Sequence, residues 1–337
     1  MKKSTPVFLI VVFILTLISY ASVLISPQLF KVSGFVSLSI PFFLILNFAL
    51  SINYLARLSK KILLPLLGLF IGLNFILITI PLVDNEKAGE GFSVLSYNVK
   101  WLVETQEGGG YDKALDWLVA DDAYIKCFQE FNARKSIVSA IKKNDELESI
   151  IGGRGNTLAI FTKGKILNSG LLFPKEDINN VLFADILISS DTVRVYNVHL
   201  ESMGIEINEM STSEEVKEAY NKLKSKFVNG SVQRAAQIEK LLQHTQTCNY
   251  PVIISGDFND VPYSYNYFKL RANYNNAFEE VGKGFGFTFN GGLPFLRIDN
   301  QFYDSRLKAH SFETLRDVLY SDHFPVKGSY SVYNNSN

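Results

Sequence analysis

The sequence predicts an α/β domain with two packed sheets, carried behind three membrane-spanning helices. Three observations point there. The first 83 residues hold three long apolar runs without a single acid, and from residue 92 onward short buried runs and alternating strands recur between amphipathic segments. Polar side chains also stand at the ends of those strands, which is where open α/β sheets put their chemistry.

Residues 6–26, 32–55 and 62–83 are each long enough to cross a hydrocarbon layer of roughly 30 Å as helices. Pro41 and Pro65 fall inside or near the ends of these spans, where membrane helices tolerate them. A cleaved signal peptide flanked by Lys2 and Lys3 accounts for the first run but not the other two. Arg57, Lys60 and Lys61 separate the second span from the third, whereas the first connection has only Lys31 and the exit reads Asp84-Asn85-Glu86-Lys87. The positive-inside rule therefore puts the amino terminus and the second loop in the cytoplasm, and everything after about residue 84 outside it. The expectation is a multi-pass protein of the cytoplasmic (inner) membrane with an extracytoplasmic domain. No ionisable residue stands within the spans, which argues against a small transporter.

At 337 residues and 47% hydrophobic the chain has material for about two domains. Its formal net charge is zero, yet residues 1–83 carry six basic and no acidic side chains, which leaves 27 basic against 33 acidic in the remainder. A mildly acidic outer domain is not what tight, sequence-blind nucleic-acid binding requires, although a metal can bridge it to phosphate. Cys127 falls in an expected strand and Cys248 just before another. Sequence does not place their Cα atoms within disulfide reach, and a buried free thiol is the ordinary reading.

The expected division is an anchor over 1–83, a short tether over 84–91 ending near Gly91, and one domain over 92–333. Strands are expected over 92–99, 124–128, 158–162, 181–188, 192–200, 252–255, 295–302, 308–313 and 326–332. Amphipathic helices are expected over 112–119, 134–150 and 232–244, and residues 211–227, charged at nearly every turn, read as a solvated helical insertion. There is no internal repeat and no low-complexity tract.

The chemistry centres on Ser255-Gly256-Asp257-Phe258-Asn259-Asp260, directly after the apolar run that begins at Val252. A carboxylate and a carboxamide two residues apart on extended backbone share a face, giving one group to accept a proton and one to hydrogen-bond an anionic oxygen. An Asx-rich turn capping the next helix is the plainer alternative. Asn98 closes the first outer strand. Glu130 leaves the second, where an unpaired carboxylate beside a buried run is costly and a hard divalent cation such as Mg²⁺ offsets the cost. His199 ends another strand, and Ser321-Asp322-His323 begins the last. Asp299 faces away from the buried Ile298 and can orient a histidine ring. His244 and His310 read as structural.

In this order, Asn98, Gln129-Glu130, Asn197-Val198-His199, Gly256-Asp257-Phe258-Asn259, Asp299 and Ser321-Asp322-His323 resemble the endonuclease/exonuclease/phosphatase superfamily, which includes pancreatic-type deoxyribonucleases, abasic-site endonucleases and neutral sphingomyelinases. The resemblance covers about residues 92–333. It implies a four-layer α/β/β/α sandwich with two central mixed sheets that hydrolyses phosphoester bonds with a divalent metal, Mg²⁺ first and Mn²⁺ or Ca²⁺ as alternatives. It also implies that Glu130 is the principal metal ligand with Asn98 beside it and Asp322 adding to the site. Asp257 is then the base or water-orienting group, Asn259 binds phosphate, and His323 contacts the scissile phosphate with Asp299 as its partner. His199 matches a second phosphate-contacting position. Lys100 stands where abasic-site enzymes carry an acid, and Asn300 where relatives commonly carry an aromatic residue.

The expected function is metal-dependent hydrolysis of a phosphodiester, in nucleic acid or a lipid head group, with the membrane as partner and no obligate protein partner. The alternatives are a phosphomonoesterase of the same fold and a catalytically silent scaffold.

Overall fold

The computed structural model of the chain describes residues 6–81, 91–102, 110–143, 147–174, 177, 179–203, 213–292 and 295–333. The amino-terminal part is a bundle of α1 (Val7–Ala21), α2 (Ser33–Ser37), α3 (Ile40–Ala56), α4 (Leu63–Ile71) and α5 (Leu73–Thr79). Phe8, Phe42, Ile45, Leu63 and Phe70 are exposed on the outside of the bundle. Two stretches, Val7–Leu24 and Ser33–Ala56, are long and apolar enough to cross a membrane. The third expected span is not straight: Lys60–Ile71 and Leu73–Thr79 meet at a 54° bend, so it counts as a span only if the bent pair is taken together. The bend falls at Gly72, where a Cβ would press on the Tyr20 hydroxyl and Leu44. Polar groups in the bundle find one another: Asn47 donates from Nδ2 to Thr16 Oγ1 (2.9 Å) and to the Phe43 carbonyl (2.8 Å).

Beyond the tether, of which residues 84–90 lie outside the described residues, the order is β1 (Phe92–Asn98), α6 (Gly110–Ala120), β2 (Ile125–Gln129), α7 (Lys135–Lys143), β3 (Glu148–Gly152), β4 (Leu158–Thr162), β5 (Lys165–Leu171), β6 (Val181–Ile188) and β7 (Asp191–His199). There follow α8 (Ser213–Gln246), β8 (Val252–Asp257), α9 (Tyr265–Arg271), β9 (Asn275–Asn276), α10 (Ala277–Val281), β10 (Asp299–Tyr303), β11 (Leu307–Thr314) and β12 (Val326–Val332). Two six-stranded sheets result, ordered β11-β12-β1-β2-β4-β3 and β5-β6-β7-β8-β10-β9. Each has one parallel pair near its centre, β1 with β2 and β7 with β8, and antiparallel neighbours elsewhere.

Strand alternation explains the layers. Val94, Ile125, Cys127 and Ile160 face the second sheet and pack on Ala184, Val193, Val195 and Ile253, whereas Leu95, Tyr97, Phe128 and Phe161 face α6 and α7. On the far side Tyr196, Val198, Ile254 and Phe302 meet α8 and α9. Helices therefore cover both sheets, as the four-layer expectation requires.

Several boundaries differ from the sequence reading. Residues 134–150 split into α7 and the strand β3, which pairs with β4. The charged insertion and the helix after it are one helix, α8, in which Glu218, Lys224 and Lys226 are exposed while Phe227, Ala235, Ile238 and Leu241 are buried; residues 211–212 lie outside the described residues. The strand expected from 295 begins only at Asp299, because Ile298 packs with Met203 and Phe227 instead of joining the sheet. β5 escapes the sequence because it is an edge strand without a buried face. Both cysteines are free, Cys127 buried and Cys248 half-buried.

Amide side chains tie the sheets together near the site. Gln129 Nε2 donates to Asn197 Oδ1 (2.6 Å), and Asn197 Nδ2 donates to the Phe128 and Ala159 carbonyls (2.9 Å each). Gln301 Nε2 reaches the Val94 carbonyl (3.0 Å). Buried polar groups deprived of such partners each cost about 1–3 kcal/mol. Asn197→Leu keeps the branching of the side chain but none of these bonds, so it is expected to lower stability by at least about that amount, read as a lower unfolding midpoint in detergent; an unchanged midpoint would mean that apolar packing alone joins the sheets.

Candidate active site

The parallel pairs deliver polar residues to one edge. Asn98 lies opposite Gln129 at the end of β1 and β2, and His199 opposite Asp257 at the end of β7 and β8. β10, antiparallel to β8, sets Asp299 opposite Asp257. The segment before β12 is fastened to the same edge by Ser321 Oγ, which donates to the Asn98 carbonyl (2.8 Å).

Backbone conformation sharpens the edge. Glu130 (φ 47°), Asn259 (φ 49°) and Lys100, Trp101 and Leu102 (φ 41°, 57° and 59°) all adopt left-handed conformations, which cost non-glycine residues about 1–3 kcal/mol each. Hydrogen bonds hold them: Trp101 N donates to the Glu130 carbonyl (2.8 Å), and Asn259 N to Asp257 Oδ1 (2.8 Å). At Gly256 (φ 150°) a Cβ would collide with the Val198 carbonyl oxygen, so only glycine lets β8 close on β7. Gly256→Ala is therefore expected to destabilise the fold by more than about 1 kcal/mol, measured by thermal unfolding in detergent; a neutral result would remove this constraint.

Asp257 is the hub. Its Oδ1 closes an Asx turn through Asn259 N, but the next helix, α9, is capped by Ser264 and not by this turn, and the Asp257 Oδ2 faces the other site groups. Asn98 Nδ2 donates to it (3.0 Å), Asn259 Nδ2 lies at 3.3 Å, and the Nε2 atoms of His323 and His199 lie at 3.7 and 3.9 Å. The same Asn98 amide donates to Glu130 Oε1 (3.0 Å), which is 3.6 Å from His199 Nε2. His323 Nδ1 bonds Asp299 Oδ2 (2.9 Å), while Thr288 Oγ1 accepts from the Asp299 amide (3.0 Å). Asp322 is paired with Lys100 Nζ (2.8 Å). Glu130, His199, Asp257, Asn259, Asp322 and His323 line one cleft of about 400 Å³, with Asn98 and Asp299 bonded to them from beneath.

Other residues gave no signal in the sequence. Trp101, Met203, Phe289, Leu296 and Ile298 form apolar lining. Arg234, fully buried in the charged-looking α8, sits with Nε 3.4 Å from Asp260 Oδ2 and donates from Nη1 to the Glu201 carbonyl (3.0 Å), joining the loops after β7 and β8. His244 and His310 have structural partners, Tyr196 and Ser331.

The donor set suits a hard cation. Two carboxylates, Glu130 and Asp257, share one amide group, and no lysine or arginine lines the cleft among the described residues. Asn98 turns its nitrogen toward them, because its oxygen accepts from Lys100 N (3.1 Å). A second grouping, Asp257, Asp299 and His323, has ligand atoms within 4.8 Å of one another, but there the Asp299–His323 hydrogen bond already engages two members.

A family model described as the Endonuclease/Exonuclease/phosphatase family matches residues 95–323. The chain belongs to the endonuclease/exonuclease/phosphatase family. A second model, a domain of unknown function, matches residues 3–79. No curated protein matches the chain. Among solved structures, an endonuclease/exonuclease/phosphatase family protein from Bacteroides thetaiotaomicron is similar at 18% identity and TM-score 0.53, covering 75% of this chain and 98% of that one. The mannosyl-6-phosphatase of the same organism gives 18% and 0.52 over 71% and 99%, and the human Nocturnin catalytic domain, with bound sulfate, 15% and 0.51 over 74% and 97%. At these identities the likeness is one of fold. The endonuclease/exonuclease/phosphatase family is hydrolytic, acts mostly on phosphoesters and generally uses a divalent metal.

Burial alone would pull the His323 pKa down, but the Asp299 and Asp257 carboxylates outweigh it and the net shift is upward. Asp299 is itself pushed up by burial, which the neighbouring imidazole partly offsets. A raised histidine pKa means that the imidazolium stabilises the fold below the unfolded-state value, a contribution lost as pH rises through the folded-state value. Asp299→Asn removes the main compensating charge, so the alkaline limb of any His323-dependent activity is expected to move to lower pH; a pH–rate profile unchanged from wild type would exclude the dyad.

Proposed function

We propose that this chain is a membrane-anchored, metal-dependent phosphodiesterase with an anchor over 1–83, a tether over 84–91 and a catalytic domain over 92–333 that faces outward from the cytoplasmic membrane. The observation that carries the reading is the convergence of Glu130, Asp257, Asn98, His199 and the Asp299–His323 pair on one cleft in a chain of this family.

In-line attack of water on a phosphodiester builds negative charge on the non-bridging oxygens, and preorganised donors must meet it. Asp257 Oδ2, buried and held by Asn98, is placed to accept or align the water proton. His199 Nε2 lies 3.6 and 3.9 Å from two carboxylate oxygens, beside the position the phosphate would take, and His323, kept charged by Asp299, also approaches Asp257 with its Nε2. Asn259 has its amide on the Leu200 carbonyl (3.0 Å) and Asp257, which fixes Asp257 and leaves phosphate contact to a rearranged amide. Glu130 with Asp257, and Asn98 once its amide turns, are the residues that would hold Mg²⁺ or a similar ion. When bound, the metal supplies positive charge against the phosphoryl oxygens.

A cleft lined by three carboxylates and no lysine or arginine among the described residues favours a singly charged diester over a doubly charged monoester. Outward placement is supported by the bundle itself. Residues of the 3-10 turn Ser22–Leu24, α2 and α5 touch the catalytic domain, while Arg57, Lys60 and Lys61 lie at the other end of α3, about 25 Å of helix away.

With bis-nitrophenyl phosphate and Mg²⁺, the full-length protein in detergent is expected to turn over, and Glu130→Ala or His323→Ala to lose at least about a hundredfold. Undiminished turnover in both variants removes the assigned site, and a mono-nitrophenyl phosphate preference would replace the diesterase by a monoesterase.

A further inference from the structure

We infer that the substrate is a membrane lipid whose phosphoester head group enters the cleft while its tail lies along the apolar wall; this rests on the phosphodiesterase reading above. The catalytic cleft has two kinds of lining. Besides the polar groups, Met203, Phe289, Leu296 and Ile298 form an apolar side. That side is not an isolated patch. Its four residues pack in one cluster with Phe227 of α8 and Phe35 of α2, and the Phe35 and Phe227 rings meet at 6.2 Å. Phe35 belongs to Ser33–Ala56, one of the two stretches able to cross a membrane. An unbroken apolar path therefore runs from beside the catalytic histidines to the bilayer segment of the same chain.

The rim repeats the theme. Phe295, 74% exposed, adjoins Leu296 in the chain, and its ring meets Phe287 at 5.5 Å, which stacks on the exposed Phe285 at 5.4 Å. Trp101 and Leu319, also exposed, border the cleft and the groove next to it, where Phe289 reappears with Lys100 and Asp322. Exposed large apolar groups gathered at a mouth mark contact with something apolar. A polynucleotide calls for a different surface, a track of lysine and arginine that follows the repeated phosphates, and neither residue type lines this cleft among the described residues. A single phosphoester on an apolar tail needs one polar pocket and one apolar wall, which is what the cleft provides.

The test uses full-length protein in phosphatidylcholine nanodiscs with a series of nitrophenyl alkyl phosphates from methyl to dodecyl, and the nitrophenyl ester of thymidine 5′-phosphate as the nucleotide probe. A buried methylene is worth about fourfold in an equilibrium, so kcat/KM is expected to rise at least about tenfold along the series. Because partition into the disc also favours long chains, the wild-type rise must flatten in Leu296→Ser and in Phe295→Ser, the latter exposed enough to leave folding intact. Turnover of the methyl ester in the same preparation reports the fold. An equal rise in both variants, a flat series, or preference for the nucleotide ester overturns the lipid assignment while leaving the phosphodiesterase standing. Inertness toward every ester takes both down.

Discussion

A single buried carboxylate sets the terms for the rest of the molecule. Asp257 lies where the two sheets meet, almost wholly out of water, and a charge in that position must be compensated by neighbours brought from elsewhere in the chain. Asn98 comes from the other sheet, His199 from the parallel neighbour, Asn259 from the following turn and His323 from the approach to the last strand. The pairing of sheets, the left-handed turns at Glu130 and Asn259 and the glycine at 256 all serve that gathering. A site of this kind is preorganised: the groups that would otherwise relax around a substrate are already held by one another.

The amino-terminal bundle packs directly on the α/β domain. Ile78 in α5 is buried among residues of the catalytic domain, and its carbonyl accepts from Arg297 Nη2 (2.9 Å), two residues before Asp299. Arg297 also lies over the Phe278 ring at 4.0 Å, so the guanidinium joins the end of the helical bundle to the strand whose Asp299 holds His323. Phe75 meets Tyr263 and Phe268, and Thr79 Oγ1 bonds the Tyr263 hydroxyl. Bundle and sandwich share apolar surface, which fixes the orientation of the cleft relative to the apolar helices.

Much of this was legible in the sequence for identifiable reasons. Strands buried on both faces, such as 252–255 and 181–188, announce themselves as short apolar runs, and the polar residues at their ends stand out against them. Glu130, His199, Asp257 and His323 were readable on that basis, and their order carried the family. The failures have equally local causes. β5 is an edge strand without an apolar face, β3 shares a helical period with α7 until its pairing with β4 decides otherwise, and α8 carries so many charges that its buried stripe is masked.

By itself the chain's order of residues determined the apolar spans, the class of fold and the types of side chain available for chemistry, because burial and periodicity act locally. Only the folded molecule decided that Asn98 faces two carboxylates with its nitrogen, that Asp322 is held by Lys100, that Arg234 fastens the loops around Asp260, and that Phe35 of the anchor shares a cluster with the cleft wall. Those facts depend on contacts between segments some 30 to 220 residues apart, such as Asn98 with Glu130 and Lys100 with Asp322, and sequence spacing carries no information about which way a side chain turns once such segments meet.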